Sequence, residues 1–407
     1  MTVAALSVGL AGGYGSASAQ VTGTTDVAAL TNATALADAT LGTESDVGTP
    51  PRLGQVRPVM AYVADVGASG DGTVTPIKTS AGSVGRPVEV GADPTVIAVA
   101  PGGTTAYVLN QDSDTVTPIQ TATNTAGPAI SVGSEPAAIA FTPDGKTAYV
   151  ANAADGTVTP IKTATNTAGA PITVGSYPSA IAITPDGSTA YVANSGSGTV
   201  TPITTATNTA GAPITLSAFP AGIAITPDGK TAYVIGDTEY SGSVTPIMTA
   251  TNKAGTAIAL SGYPSAITIT PNGKTAYVVA TGSANGTVTP ITTATNKAGA
   301  AIDVSSNPSA IAITPDGTTA YVLSQGVASC SGQVTPIKTA TNAAAKVIQI
   351  SAEPTAIAFT PDSKTAYVVD DYCDLAPGAV TPIAIATNKA GPSVTVGVYP
   401  RAIAITP

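Results

Sequence analysis

Pro178-Ser179-Ala180-Ile181-Ala182-Ile183-Thr184-Pro185-Asp186-Gly187 runs into Ser188-Thr189-Ala190-Tyr191-Val192 and then into Val200-Thr201-Pro202-Ile203, and this unit recurs eight times along the chain. Short runs of small and β-branched residues separated by Gly, Pro and Asp read as strands and turns. Four such runs repeated with a period of 42 to 46 residues predict an all-β fold, a β-propeller with one four-stranded blade per repeat.

The copies align on Tyr62, Tyr107, Tyr149, Tyr191, Tyr233, Tyr277, Tyr321 and Tyr367. In the quoted unit the alternating run Ala180–Thr184 suits a tightly packed innermost strand, strand A. The tyrosine marks strand B and Val200-Thr201-Pro202-Ile203 marks strand C. Segments such as Ala170-Pro171-Ile172-Thr173-Val174 supply strand D. The two ends of the array complement each other. The first copy begins at strand B, with Met60-Ala61-Tyr62-Val63, and Tyr399–Pro407 is a strand A with nothing after it. Joining them completes an eighth blade and removes the open sheet edges that invite aggregation. Every strand C also carries a proline, Pro202 for example, which lacks a ladder donor and predicts a repeated bulge.

Hydrophobic residues make up 43% of the 407 and charged residues only 10%, with no histidine or tryptophan and a net charge of −9. The core is therefore expected to be many small aliphatic layers. Residues 1–58 lack the repeat. Within them Val3–Leu10 is a short apolar stretch and Ala17-Ser18-Ala19 before Gln20 resembles a signal-peptidase site, so residues 1–19 read as an export signal that lacks a basic start. The stretch is too short for a transmembrane helix. Residues 20–58 read as a flexible linker, and 59–407 as the propeller. An extracytoplasmic protein, secreted or held at the cell surface, is expected.

Thr184-Pro185-Asp186-Gly187-Ser188-Thr189-Ala190-Tyr191-Val192-Ala193-Asn194 followed by Gly198-Thr199-Val200 resembles the YVTN-type β-propeller repeats of microbial surface-layer and other extracytoplasmic proteins. The resemblance runs from about Val59 to the end. It implies a scaffold class without a shared catalytic motif. Many members have seven blades where eight are counted here. The family's acidic residue after the strand C isoleucine is replaced by residues such as Lys78, Gln120 and Thr204.

The repeats differ in one interval. Val74 to Pro94 spans 20 residues, Pro94 to Tyr107 spans 13, and both values recur around the ring. Only the tyrosine-to-valine spacing varies, from 9 to 13, so all length variation falls in the B–C loops. These share a face with the D–A connections, and loops on a rigid scaffold carry function. Drift in tolerant surface loops is the alternative.

The residue before each strand A proline also changes: Asp93, Glu135, Tyr177, Phe219, Tyr263, Asn307, Glu353 and Tyr399. These should ring the mouth of the central channel, with an aromatic arc from Tyr177, Phe219 and Tyr263 facing carboxylates. Such a ring suits a sugar, a cationic group or a peptide; the alternative is aromatics that merely wedge against the prolines. Asp370 and Asp371 add charge on the same face. There acidic residues face one basic residue, Arg401, while most lysines, among them Lys146, Lys230 and Lys364, fall on the opposite face. An acidic face repels nucleic-acid phosphate and favours basic partners.

Cys330 and Cys373 fall in the B–C loops of neighbouring blades; a disulfide or two free thiols are the alternatives. The Asp-Gly pairs suit tight A–B hairpins and are not spaced as a calcium loop. Without histidine there is no Ser-His-Asp triad, no histidine-ligated metal and no imidazole acid–base group. No metal and no cofactor are expected. The function expected on these grounds is a monomeric, non-catalytic binding or scaffold module that takes a protein, peptide or glycan ligand, with no nucleic acid, through its acidic loop face. The alternative is a propeller hydrolase or lyase using carboxylates at the channel mouth, for instance Glu353 with Asp370 or Asp371.

Overall fold

In the copy quoted above, Pro178–Ile183 is strand A, Thr189–Asn194 strand B and Thr199–Thr204 strand C, hydrogen-bonded antiparallel in that order. The A–B turn closes on Asp186, whose Oδ1 accepts from the Thr184 hydroxyl at 2.5 Å and the Ser188 amide at 3.0 Å. Gly187 then takes φ 73°, a conformation that costs glycine nothing. The structure is a computed structural model that describes residues 6–7, 58–238, 241–282, 285–326, 331–372 and 376–407. Cys330 and Cys373, and with them the disulfide alternative, lie outside these residues.

The strand C prolines do not produce the expected bulge. Tyr191 stands opposite Pro202 in an unbroken B–C register. The Pro202 carbonyl points toward strand D and accepts from Gly211 at 2.7 Å, so the missing N–H is also missing on that side. Strand D accordingly breaks in two, Thr209–Ala210 and Ile214–Thr215. The register shift lies instead in strand A, between Pro178 and Ala180.

Eight blades of this kind close a ring. Strand A of blade 1 is Pro400–Ile405, and it pairs with strand B, Met60–Asp65, through Ala61 opposite Ile405 and Val63 opposite Ile403. Thr406 clamps the end: its amide donates to the Met60 carbonyl and its hydroxyl accepts from the Met60 amide, both at 2.9 Å. The backbone of Leu6–Ser7 pairs with strand A of blade 8, Glu353–Phe359, and with strand A of blade 1. Among the described residues there is no helix, so none is long and apolar enough to cross a membrane.

The core lies between blades. One cluster joins Ala138 and Tyr149 of blade 3 to Ile181 and Tyr191 of blade 4 and Ile223 of blade 5. Small side chains on strands A and B let neighbouring sheets approach closely, which is how a chain poor in aromatics still packs. The strand B tyrosines are buried and staple each blade to the next. Seven hydroxyls, from Tyr62 through Tyr321, donate to the Oδ1 of an asparagine in the next blade's C–D turn at 2.5 to 2.7 Å. At the seam between blade 8 and blade 1 the equivalent turn residue is Gly82, and Tyr367 donates to the Thr79 carbonyl at 2.9 Å.

Candidate active site at the channel mouth

The mouth residues are held in two ways. In blades 2, 3 and 4, with the shortest B–C loops, the residue before the strand A proline turns left-handed, Asp93 at φ 50°, Glu135 at 56° and Tyr177 at 50°, and so do Asn307 at 50° and Tyr399 at 54° in the longer-looped blades 7 and 1. A left-handed non-glycine residue is costly, most of all a bulky one. Backbone bonds hold the geometry, from Gln111 N to Asp93 O at 2.8 Å and from Ser195 N to Tyr177 O at 2.9 Å. In blades 5, 6 and 8 strand A begins one residue earlier and the pre-proline residue joins the ladder: Phe219 opposite Asp237, Tyr263 opposite Thr281, Glu353 opposite Asp371.

Tyr177, Phe219 and Tyr263, on three successive blades, are 59%, 57% and 48% exposed. Glu135 and Asn307 are exposed, and Asp93, Glu353, Asp371 and Tyr399 half-buried. Asp370 is different, since its side chain is fully buried. Adjacent strand residues point to opposite faces of a sheet, which separates it from Asp371.

Arg401 organises the acidic side. It is the second residue of strand A in blade 1, where the aligned copies have only small or hydroxyl residues: Thr95, Ala137, Ser179, Ala221, Ser265, Ser309 and Thr355. That contrast was the signal available in the sequence for a residue absent from the mouth ring. Burial pushes the Asp371 carboxyl up to about 6; the Arg401 charge opposes this and the Glu353 charge adds to it. Asp371 Oδ1 is buried and accepts no hydrogen bond. On the other flank burial pushes Asp93 up, Asp112 adds to the rise and Arg401 again opposes it. One guanidinium thus acts on carboxylates from blades 8 and 2. The arrangement offers a carboxylate able to take a proton near neutral pH beside a fixed positive charge. Among the described residues no group of three Asp, Glu or Cys side chains is arranged to hold a metal ion.

The opposite face carries exposed pairs within the A–B turns, Lys146 with Asp144 at 3.3 Å, Lys230 with Asp228 at 3.4 Å and Lys364 with Asp362 at 3.1 Å. Pairs this exposed contribute little.

Fold and site together describe an eight-bladed β-propeller with an acid-rich, arginine-centred mouth. Residues 105–215, spanning strand B of blade 2 to strand D of blade 4, match the family model described as lactonase, 7-bladed beta-propeller. No curated protein matches the chain. Among solved structures, a dihydro-heme d1 dehydrogenase, NirN, aligns over 88% of this chain and 77% of its own with a TM-score of 0.72 at 16% identity. Hydrazine synthase of Kuenenia stuttgartiensis aligns over 72% of this chain and 95% of its own, with a TM-score of 0.59 at 24% identity. A 6-phosphogluconolactonase-like protein of Bacteroides uniformis aligns over 74% and 98%, with a TM-score of 0.57 at 17% identity. At these identities the structural likenesses establish the propeller fold.

The lactonase match overturns the expectation of a non-catalytic binding or scaffold module. That expectation leaned on the missing histidine, and missing imidazole removes triads and histidine-bound metals without removing acid–base chemistry by carboxylates and a guanidinium.

Proposed function

We propose that this propeller is a hydrolase that opens lactones or related esters at its channel mouth, with Asp371 as general base and Arg401 holding the carbonyl oxygen as it gains charge. Water attacks the carbonyl carbon, Asp371 takes its proton, and the same proton passes to the leaving oxygen as the ring C–O bond breaks. The observation that carries this reading is the half-buried Asp371 carboxyl held near neutrality beside the Arg401 charge. The lactonase family match over residues 105–215 supports it, although it falls on blades 2 to 4 and leaves the Arg401 cluster outside. The aromatic arc of Tyr177, Phe219 and Tyr263 would hold the apolar part of the substrate. We also propose that the repeats are of the YVTN type.

A panel of γ- and δ-lactones and aryl esters, followed by acid release in a pH-stat, tests the reading. The wild-type protein should turn over at least one, and Asp371→Asn should slow it by roughly 10²–10⁴-fold. No turnover above buffer by the wild type, or equal rates for wild type, Asp371→Asn and Arg401→Ala, would overturn it.

A further inference from the structure

Beneath the mouth, the strand B residue three positions after each tyrosine forms a second ring. On blades 2, 3 and 4 it is Asn110, Asn152 and Asn194, each buried and donating to two strand C threonine hydroxyls, as Asn110 does to Thr115 at 3.0 Å and Thr117 at 2.9 Å. On blades 5, 6 and 7 it is Gly236, Ala280 and Ser324. Only on blades 8 and 1 is it ionisable, as Asp370 and Asp65, and both are 0% exposed. Each carboxyl receives a threonine hydroxyl, from Thr381 and from Thr75 respectively, and each has a buried Oδ1 without a partner. Gly397 packs so closely over Asp65 that a Cβ there would lie 2.5 Å from the Asp65 Cβ. Asp65, under Gly397 of blade 8 and on the same strand face as Ala61 and Val63, lies at the one seam that lacks the tyrosine–asparagine staple, whereas Asp370 shares its face with Ala366 and Val368, which pack against blade 7.

We propose that the seam between blades 8 and 1 is a proton-operated gate: it is shut while Asp65 is protonated, and loss of that proton loosens strand A of blade 1 together with the mouth residue Arg401 that it carries. The proposal does not depend on the hydrolase reading. No ionised side chain offsets either carboxyl. Asp65 faces the Thr75 hydroxyl and the Gly397 amide, and Asp370 faces Thr381, which is itself bonded to Ser393 at 2.9 Å. The charges on the neighbouring elements act elsewhere: Arg401 on Asp371 and Asp93, Glu353 on Asp371. Glu89, on strand D of blade 1, is exposed. The Leu6–Ser7 backbone bridges only the two strands A. Burial pushes both carboxyls up to about 7, above their unfolded value. Protonation is thus favoured in the closed ring; the stability it brings is complete at low pH and lost as pH rises through about 7.

Hydrogen exchange of the full chain at pH 5.5 and 8.5, corrected for intrinsic chemical rates, tests the gate. Opening of peptides covering Met60–Asp65 and Pro400–Ile405 should rise on the order of tenfold or more over that pH change, while Thr147–Asn152 and Pro178–Ile183 at the blade 3–4 seam should not follow. The variant Asp65→Asn, which installs the residue blades 2 to 4 already use, should abolish the response. An equal pH response at both seams in the wild type, or a full response kept by Asp65→Asn, would refute the gate.

Discussion

The hydroxyl of Tyr321 donates to Oδ1 of Asn388 at 2.6 Å, the last of seven such staples around the ring. Burial pushes the Tyr321 phenol up to about 12, so it stays a donor across the working pH range. One blade on, Tyr367 meets Gly82 in the place of that asparagine. Gly82 already holds φ 61°, close to the 52° of Asn388, and a Cβ there would meet only Val394 Cγ2, at 3.9 Å. Gly82→Asn should therefore install the eighth staple and stabilise the protein by about 0.5–1.5 kcal/mol, helped by a less flexible unfolded chain. Denaturant unfolding measures this, and a lower midpoint would show that the seam cannot accept the bond.

Deleting Tyr399–Pro407 should cost far more. It removes the strand paired to Met60–Asp65 and the Thr406 clamp on Met60, exposing an open edge. A lower melting temperature with aggregation in light scattering is expected; an unchanged melting temperature and a clean monomer would contradict closure by that strand.

The pH–rate profile should carry the signature of Asp371. Only its carboxylate accepts a proton, so kcat/KM should rise through pH about 6. Arg401 lowers the Asp371 pKa and Glu353 raises it. The rise should consequently move to higher pH in Arg401→Gln and to lower pH in Glu353→Gln. Profiles that do not move in these directions would remove Asp371 from the reaction.

Replacing Tyr177, Phe219 and Tyr263 by alanine should raise KM with little change in kcat, and stability should stay within about 0.5 kcal/mol because all three are exposed. The same treatment of Lys230, Lys274 and Lys364 should leave KM alone. The opposite pattern would put the substrate on the lysine-bearing face.

Much of this molecule was legible in the order of its residues. The Tyr191 repeat, the Asp186-Gly187 turn and the split blade shared by Met60–Asp65 and Pro400–Ile405 are local patterns, and local hydrogen bonding makes them the strands and turns they resemble. The strand C prolines were visible too. Their consequence was not, because it depends on which neighbour the missing N–H faces, and Pro202 faces strand D.

By itself the sequence determined eight blades, their closure and the face on which loops, aromatics and carboxylates gather, because each follows from spacing along the chain. Only the tertiary structure decided what those carboxylates are. Asp370 and Asp371 are neighbours in sequence, yet one is sealed in the blade and the other stands half-buried beside Arg401. Arg401 in turn acts on Asp93, some three hundred residues away along the chain. Burial and Coulomb interaction are set by what other blades place nearby, and ring closure brings those blades together.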